Sequence, residues 1–251
     1  MTEGKGMKHA ASHAAFLEGL VAHRMIASIK DPRHIETALS LRGQLSGVFL
    51  LTGHIGVLKG YVDVFKEHQL PVFLHLEKIG GLSTDNYGLD YLAKVIKPTG
   101  IISTKTNVVK TAKKLGLITV QRFFLVDSEG LDNIAKSICQ SEPDIIEVMP
   151  ARIPDMIDKV KAFASVPIIT GGLLYEQSQA EECLRHGAAA ISTSKPELWR
   201  CAGPAPVKAE GRKADAATPV ARHRKTLPLA QIGCGLAALF EYSYNLCNQI
   251  T

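Results

Sequence analysis

The chain has 251 residues, of which 46% are hydrophobic and 21% are charged, and its formal net charge is +5. This length and composition suit one globular domain of barrel size, or a smaller domain with an appendage. Residues 1–20 lack an apolar stretch long enough for a signal peptide, and no run reaches the roughly 18 apolar residues that a membrane span requires. We therefore expect a cytoplasmic protein without a membrane segment.

The charge is unevenly distributed along the chain. Up to Trp199 there are 22 Lys and Arg against 21 Asp and Glu, whereas the remaining stretch has 7 against 3. Neither this near-neutral balance nor the aromatic content of 6% indicates a large nucleic-acid surface before Trp199. The five cysteines form no CxxC pair and have no nearby His at metal-ligand spacing, so we expect no metal site.

Short apolar runs alternate with amphipathic segments, which is the pattern of buried strands followed by helices. The strands are predicted at 25–29, 48–51, 72–77, 100–103, 118–124, 145–149, 167–170 and 189–192. The helices are predicted at 31–39, 55–68, 87–96, 107–116, 128–140, 155–164 and 178–187.

Local signals support several helix ends. Asp31 is a candidate N-cap with Pro32 in the first helical position, and Gly116 is placed as a helix stop. Ser178 and Glu181 have the spacing of a capping box.

Eight strand units and seven helices predict an α/β fold, a TIM-like (β/α)8 barrel. A doubly wound open sheet would show the same alternation. No GxGxxG follows the first strand, however, and the even spacing of eight units favours closure.

The barrel is predicted over residues 24–199, with residues 1–23 as an N-terminal extension. Residues 200–251 form a tail whose first half is rich in Ala, Pro and basic residues, a composition that buries too little surface to fold alone. The apolar stretch 227–240 could dock on the barrel or on a partner, or complete the eighth helix. Equally, the tail could be foreign to the domain.

Two segments at the end of the alternating pattern indicate a phosphate site. The strands in PIITGGL (167–173) and GAAAISTS (187–194) are followed by Gly or by Ser and Thr, where backbone amides can approach an anion. In (β/α)8 barrels the loops after strands seven and eight commonly hold phosphate. The candidate phosphate-binding residues are Gly171, Gly172, Ser192, Thr193 and Ser194. The Gly pair could instead relieve crowding at a strand end.

Polar residues near the ends of the other strands predict the rest of the barrel mouth. Side-chain alternation predicts that His75 and Glu77 face inward from strand three, that Ile101, Ser103 and Lys105 do so from strand four, and that Glu147 does so from strand six. On strand five, either Gln121 or Arg122 faces inward. These side chains could bind the hydroxyls of a small polyol phosphate. Lys105 could instead form an internal ion pair with a glutamate, and His75 could be a hydrogen-bonded interior residue.

Six motifs, in order and spacing, strongly resemble the glycerol uptake operon antiterminator regulatory protein family, which responds to glycerol 3-phosphate. They are HLEKIGGL (75–82), GIISTKTN (100–107), QRFFLVDS (121–128), IEVMPARIP (146–154), TGGL (170–173) and STSKPELW (192–199). The resemblance covers about residues 24–199.

This resemblance implies a TIM-like barrel that binds glycerol 3-phosphate and then acts on leader mRNA, so that transcription passes a terminator. It implies a regulator and not an enzyme, with an effector but no cofactor, and it leaves a homo-oligomer open. The family's phosphate loops match the five residues given above, and its polar positions match His75, Lys105, Gln121, Arg122 and Glu147. The chain departs from the family pattern at Glu77, Ala151 and Thr170, where Asp, Gly and Ala are usual.

A phosphosugar aldolase or isomerase on the same scaffold is the alternative. Lys105 could form a Schiff base, or Glu77 and Glu147 could act as an acid and base pair. A Schiff-base lysine must be neutral to react, and the predicted carboxylates around Lys105 favour a charged amine, which disfavours the enzyme.

Overall fold

A computed structural model of the chain describes residues 3–127 and 129–200, with side chains from residue 13 onward. Its strands are β1 Met25–Ile29, β2 Gly47–Leu50, β3 Val72–His75, β4 Gly100–Ser103, β5 Ile118–Phe124, β6 Ile145–Met149, β7 Ile168–Gly171 and β8 Ala190–Thr193. Its α-helices are α1 Glu3–His23, α2 Ile35–Ser40, α3 Ile55–Glu67, α4 Asn86–Tyr91, α5 Thr106–Lys114, α6 Glu129–Ser141, α7 Asp155–Lys161, α8 Gln177–Arg185 and α9 Pro196–Trp199.

The strands form a closed barrel in chain order, and each pairs in parallel with the next. β8 returns to β1, with Met25 opposite Ile191 and Ala27 opposite Thr193. The predicted closed barrel is confirmed, and the open sheet is excluded. β3 is shorter than predicted, because the chain turns into a 3-10 helix at Leu76–Lys78 directly after His75.

The strands separate two apolar layers. Val72 and Leu74 of β3 pack outward with helix residues such as Leu58 and Val62 of α3. Phe73, one residue away, packs inside the barrel with residues from most of the other strands. This separation arises because successive side chains along a strand point to opposite faces of the sheet, and paired residues of neighbouring strands point to the same face. The inner layer fills the barrel below its mouth, as is usual for this architecture.

Helix α1 closes the end of the barrel opposite the mouth. Phe16 and Leu20 are buried with the inner layer, and the Phe16 ring lies 4.7 Å from that of Phe73. At the same end, a β-carbon on Gly47 would lie 2.9 Å from the carbonyl oxygen of Pro71, so the strand start leaves no room for a side chain. The segment predicted as an N-terminal extension therefore contributes core residues to the barrel.

The local capping signals have mixed outcomes. The Asp31 side chain accepts a hydrogen bond from the Arg33 amide, as an N-cap should, although the turn that it starts is a 3-10 helix. Gly116 follows α5 with φ +80°, as a helix stop should. The predicted capping box is wrong, because α8 begins earlier: Glu176 is its N-cap and Gln179 supplies the reciprocal bond.

The tail predicted over residues 200–251 lies outside the described residues from position 201 onward. Within residues 3–127 and 129–200, no helix has the length and apolar character needed to cross a membrane.

We expect Leu20→Ala to destabilise the protein by about 2–5 kcal/mol, because it removes a fully buried side chain from the barrel floor. Val21→Ala is the matched control: this neighbouring side chain is 70% exposed, and its loss should change stability by less than about 0.5 kcal/mol. Urea unfolding of the two variants measures the difference. Equal values would mean that α1 does not pack on the barrel.

Candidate functional site

A cavity of about 400 Å³ lies at the mouth, where the carboxyl ends of the strands meet. Among residues 3–127 and 129–200, its lining includes the turns after β7 and β8 and four cationic side chains, but no carboxylate. The cations are Lys30, Lys78, Arg122 and Lys195. A second cavity, of about 450 Å³, lies at the opposite end of the barrel beside α1, far from the strand ends where sites are built in this fold.

Four of the five predicted phosphate-binding residues line the mouth cavity: Gly172, Ser192, Thr193 and Ser194. The two glycines do different jobs. Gly172 has φ +78°, a left-handed conformation that other residues rarely adopt, and this conformation makes the turn. Gly171 lies in β7, where a β-carbon would be 2.1 Å from the Ser192 hydroxyl oxygen. Close packing between β7 and β8 therefore requires Gly171, as the crowding alternative supposed.

Glu147 is fully buried behind the cavity and joins two neighbours. Its carboxylate accepts a 2.5 Å hydrogen bond from Nε of Arg122 and another of 2.5 Å from the Ser192 hydroxyl. The Ser192 hydroxyl therefore donates its hydrogen to Glu147 inside the barrel and not into the cavity. Arg122 keeps further N–H donors beyond the one that it gives to Glu147, and it also lines the cavity.

The structure resolves the ambiguity of strand five. Arg122 is opposite Glu147 in the register of β5 and β6 and faces inward with it. Gln121 faces the helices, where its side chain bonds with Thr106 and Ser141. The sequence left this choice open because Gln121 is fully buried by helix residues that lie 15 and 20 positions away in the chain.

His75 and Glu77 form a second polar group. His75 Nδ1 lies 3.1 Å from the Glu77 carboxylate, which also accepts a short hydrogen bond from the Ser103 hydroxyl. Burial by itself would raise the pKa of Glu77, but the hydrogen bonds from His75 and Ser103 outweigh it and lower the pKa to about 2. Glu77 lies in the 3-10 turn after β3 and not in the strand itself. The alternation of side chains along β3 therefore does not determine its direction, and it contacts Ser103 of β4 from the turn.

The prediction for strand four is wrong by one residue. Ile101 packs in the outer layer and Ile102 in the inner layer, because Ile102 is opposite the inward-facing His75. Lys105 is at the N-cap position of α5, with an exposed side chain outside the lining of the cavity. The described ion pairs include none between Lys105 and Glu77 or Glu147.

Several residues of the mouth were not among the predicted ligand-binding residues. Lys30, Lys78 and Lys195 line the cavity together with Phe124, Leu173 and Tyr175. Their signal in the sequence is their position: Lys30 directly follows β1, and Lys195 and Leu173 each lie two residues beyond a strand. Among the described residues, no group of three or more His, Cys, Asp or Glu side chains could hold a metal ion.

The lowered pKa of Glu77 predicts a pH-dependent contribution to stability. Because the folded state favours the ionised carboxylate, Glu77 stabilises the folded protein fully at a pH above its ordinary pKa of 4.5. This stabilisation is lost as the pH falls through about 2. Glu77→Gln should therefore lower the melting temperature at pH 7, and the difference from the parent should narrow below about pH 4.5. Thermal unfolding from pH 7 to pH 3 measures it, with the exposed Glu67→Gln as control. A difference that stays constant over this range would contradict the stated role of the charge.

Comparisons with known proteins assign the family. A sequence model described as glycerol-3-phosphate responsive antiterminator matches residues 25–199. An uncharacterised Escherichia coli K12 protein, YgcP, is 32% identical over 178 residues, which cover 71% of this chain and 92% of that protein.

Solved structures agree with the family model. The glycerol uptake operon antiterminator regulatory protein of Listeria monocytogenes 4b F2365 is 32% identical, with a TM-score of 0.66 over 70% of this chain and 94% of that one. A related protein of Thermotoga maritima MSB8 is 30% identical, with a TM-score of 0.62 over 70% and 96%. An aldolase, QR15, is 10% identical with a TM-score of 0.55 over 70% and 92%, which is a likeness of fold alone. The chain therefore belongs to the glycerol-3-phosphate responsive antiterminator family.

Proposed function

We propose that the protein is a cytoplasmic transcription antiterminator that binds glycerol 3-phosphate and then leader mRNA of glycerol-uptake genes. The observation that carries the proposal is the cavity at which the turns after β7 and β8 lie side by side, since the described residues of its lining include four cations and no carboxylate. A dianionic ligand suits such a lining. In the proposal glycerol 3-phosphate is the effector, and no cofactor takes part.

The phosphate group would lie between the two turns. Gly172 brings the backbone of one turn to the cavity without a side chain, and the half-buried Ser194 offers a hydroxyl from the other. Thr193 supports its turn from within, because its hydroxyl accepts a 3.3 Å bond from the Lys195 amide and its carbonyl accepts one from the Trp199 indole. Gly171 and Ser192 would hold the two strand ends together.

The polyol end of the ligand would meet Arg122. The guanidinium is held in place by Glu147, and its remaining donors suit the oxygen atoms of a polyol or of its phosphate. In the proposal His75 and Glu77 do not bind the phosphate, because neither lines the cavity and the Glu77 carboxylate faces His75 Nδ1 and accepts the Ser103 hydroxyl. Gln121 and Lys105 play no part in this proposed site.

The regulatory step would be a population shift. Glycerol 3-phosphate favours the conformation of the mouth loops in which the two turns converge, and RNA binds that conformation better. Such coupling is reciprocal, so RNA must tighten ligand binding by the same factor.

The aldolase alternative is less well supported. Lys105, the candidate Schiff-base residue, is exposed outside the lining of the mouth cavity. Treating the protein with borohydride and dihydroxyacetone phosphate would decide it, because a covalent adduct on Lys105 would establish the aldolase instead.

Gly172→Asp should abolish glycerol 3-phosphate binding, because it places a negative side chain in the proposed phosphate site. Isothermal titration calorimetry measures the affinity, and circular dichroism checks that the variant is folded. Gly60→Asp is the control: a β-carbon there meets nothing within 4 Å, and the added charge lies on α3. Unchanged affinity in Gly172→Asp would remove the proposed site.

The protein should bind the leader transcript of glycerol-uptake genes more tightly with glycerol 3-phosphate than without it, by about 5- to 150-fold for a typical coupling. A mobility-shift titration measures this factor, and calorimetry with and without RNA should return the same factor for the ligand. RNA affinity should also fall steeply as salt rises. If RNA bound equally well with and without glycerol 3-phosphate, the ligand would not control RNA binding and the proposed regulatory function would be wrong.

A further inference from the structure

Apolar and cationic side chains, exposed except for the half-buried Lys195, border the mouth of the barrel, and we call them the mouth rim. It consists of Phe124, Leu173, Tyr175, Lys30, Lys78 and Lys195. We propose that the mouth rim is the RNA-binding surface, and that it holds unpaired nucleotides with bases on its aromatic rings and phosphates on its lysines. This inference rests on the proposed function and names the surface that carries it out.

The apolar members of the mouth rim are more than half exposed. Phe124 is 58% exposed, Leu173 57% and Tyr175 59%. Phe124 ends β5, and Leu173 and Tyr175 lie in the loop after β7, so they reach one cavity from two separate places in the chain. Apolar side chains gathered in this way on a surface mark a site of interaction.

The charge of the mouth rim favours a polyanion as its partner. Arg122 is offset by Glu147 behind it, whereas the part of the chain that the structure describes places no carboxylate beside Lys30, Lys78 and Lys195 in the cavity lining. A dianionic ligand would offset two of these three charges, which leaves the rim cationic when the effector is bound. Lysines bordering aromatic rings are the combination that single-stranded nucleic acid requires.

Tyr175 and Lys195 already have the arrangement of a stacking site. The Lys195 ammonium lies 4.4 Å from the centre of the Tyr175 ring and holds the ring beside the cavity. A base stacking on the other face of this ring, or on the Phe124 ring, would need no sequence-specific contact, because every base has a flat aromatic face.

The mouth rim is connected to the proposed phosphate site through the chain itself. Leu173 and Tyr175 belong to the turn that begins with Gly172, and Lys195 follows Ser194 directly. A phosphate held between these two turns would fix the positions of three rim residues at once. The ligand would therefore act on RNA affinity without any distant conformational relay.

A second copy of this chain is a less suitable partner for the mouth rim. In a two-fold contact the same patch lies on both sides, so the three lysines would approach their own counterparts. Like charges placed together in this way oppose association.

The test compares variants of the full chain in fluorescence anisotropy with a labelled leader transcript of glycerol-uptake genes. Phe124→Ala and Tyr175→Ala should each weaken RNA binding by about 5- to 150-fold, the usual effect of losing one stacked base. Tyr87→Ala is the matched control, because this tyrosine is 87% exposed on α4 and should change nothing. Lys78→Ala should lower the slope of log affinity against log salt by about 0.7, and Lys110→Ala on α5 should leave it unchanged.

Both aromatic residues border the ligand cavity, so the glycerol 3-phosphate affinity of each variant is measured first and RNA is titrated at saturating ligand. If the parent protein binds no leader RNA, the proposed function fails and this inference fails with it. If the parent binds RNA and the rim variants bind as tightly as Tyr87→Ala, only the assignment of the surface is overturned. The assignment is also overturned if the rim variants convert a dimer to a monomer in sedimentation while keeping full RNA affinity.

Discussion

A single buried carboxylate organises the mouth of this barrel. Glu147 of β6 accepts hydrogen bonds from Arg122 of β5 and from Ser192 of β8, so three of the strands meet at one charged group. Taking a carboxylate out of water costs several kcal/mol, and only close charged and hydroxyl donors make it tolerable. Gly171 of β7, the strand between β6 and β8, is also required, because a side chain at this position would collide with the Ser192 hydroxyl. The alignment of the β7 and β8 turns depends on this contact.

Most of the fold could be predicted from the sequence, because a parallel strand buried on both faces is a continuous apolar run with a helix after it. β1, β4, β5 and β6 have the predicted bounds, and the other strands start where expected or one residue away. The errors arise where a strand ends. The turn at Leu76–Lys78 stops β3 early, and the face of β4 is set by pairing with His75 and not by its own polar residues. Neither constraint is local in sequence.

The site was harder to predict than the fold. The Gly and Ser-Thr turns were identified because their residue types suit a phosphate, and four of the five residues line the cavity. Arg122 and Gln121 could not be separated, because the choice depends on the register with β6. Lysines and aromatic residues that border the cavity resemble ordinary loop residues in a sequence. Only the closure of the barrel brings together Lys30 from the first loop and Lys195 from the last.

Trp199 is the single tryptophan of the chain, and it lies beneath the β8 turn. Its indole is fully buried, donates a 2.8 Å hydrogen bond to the Thr193 carbonyl and lies nearly perpendicular to the His34 ring, with 6.1 Å between the ring centres. The ultraviolet emission of an indole depends on the polarity around it and on that hydrogen bond. Any displacement of the Ser194 loop would alter both, so the protein contains an intrinsic optical probe of its own mouth that requires no label.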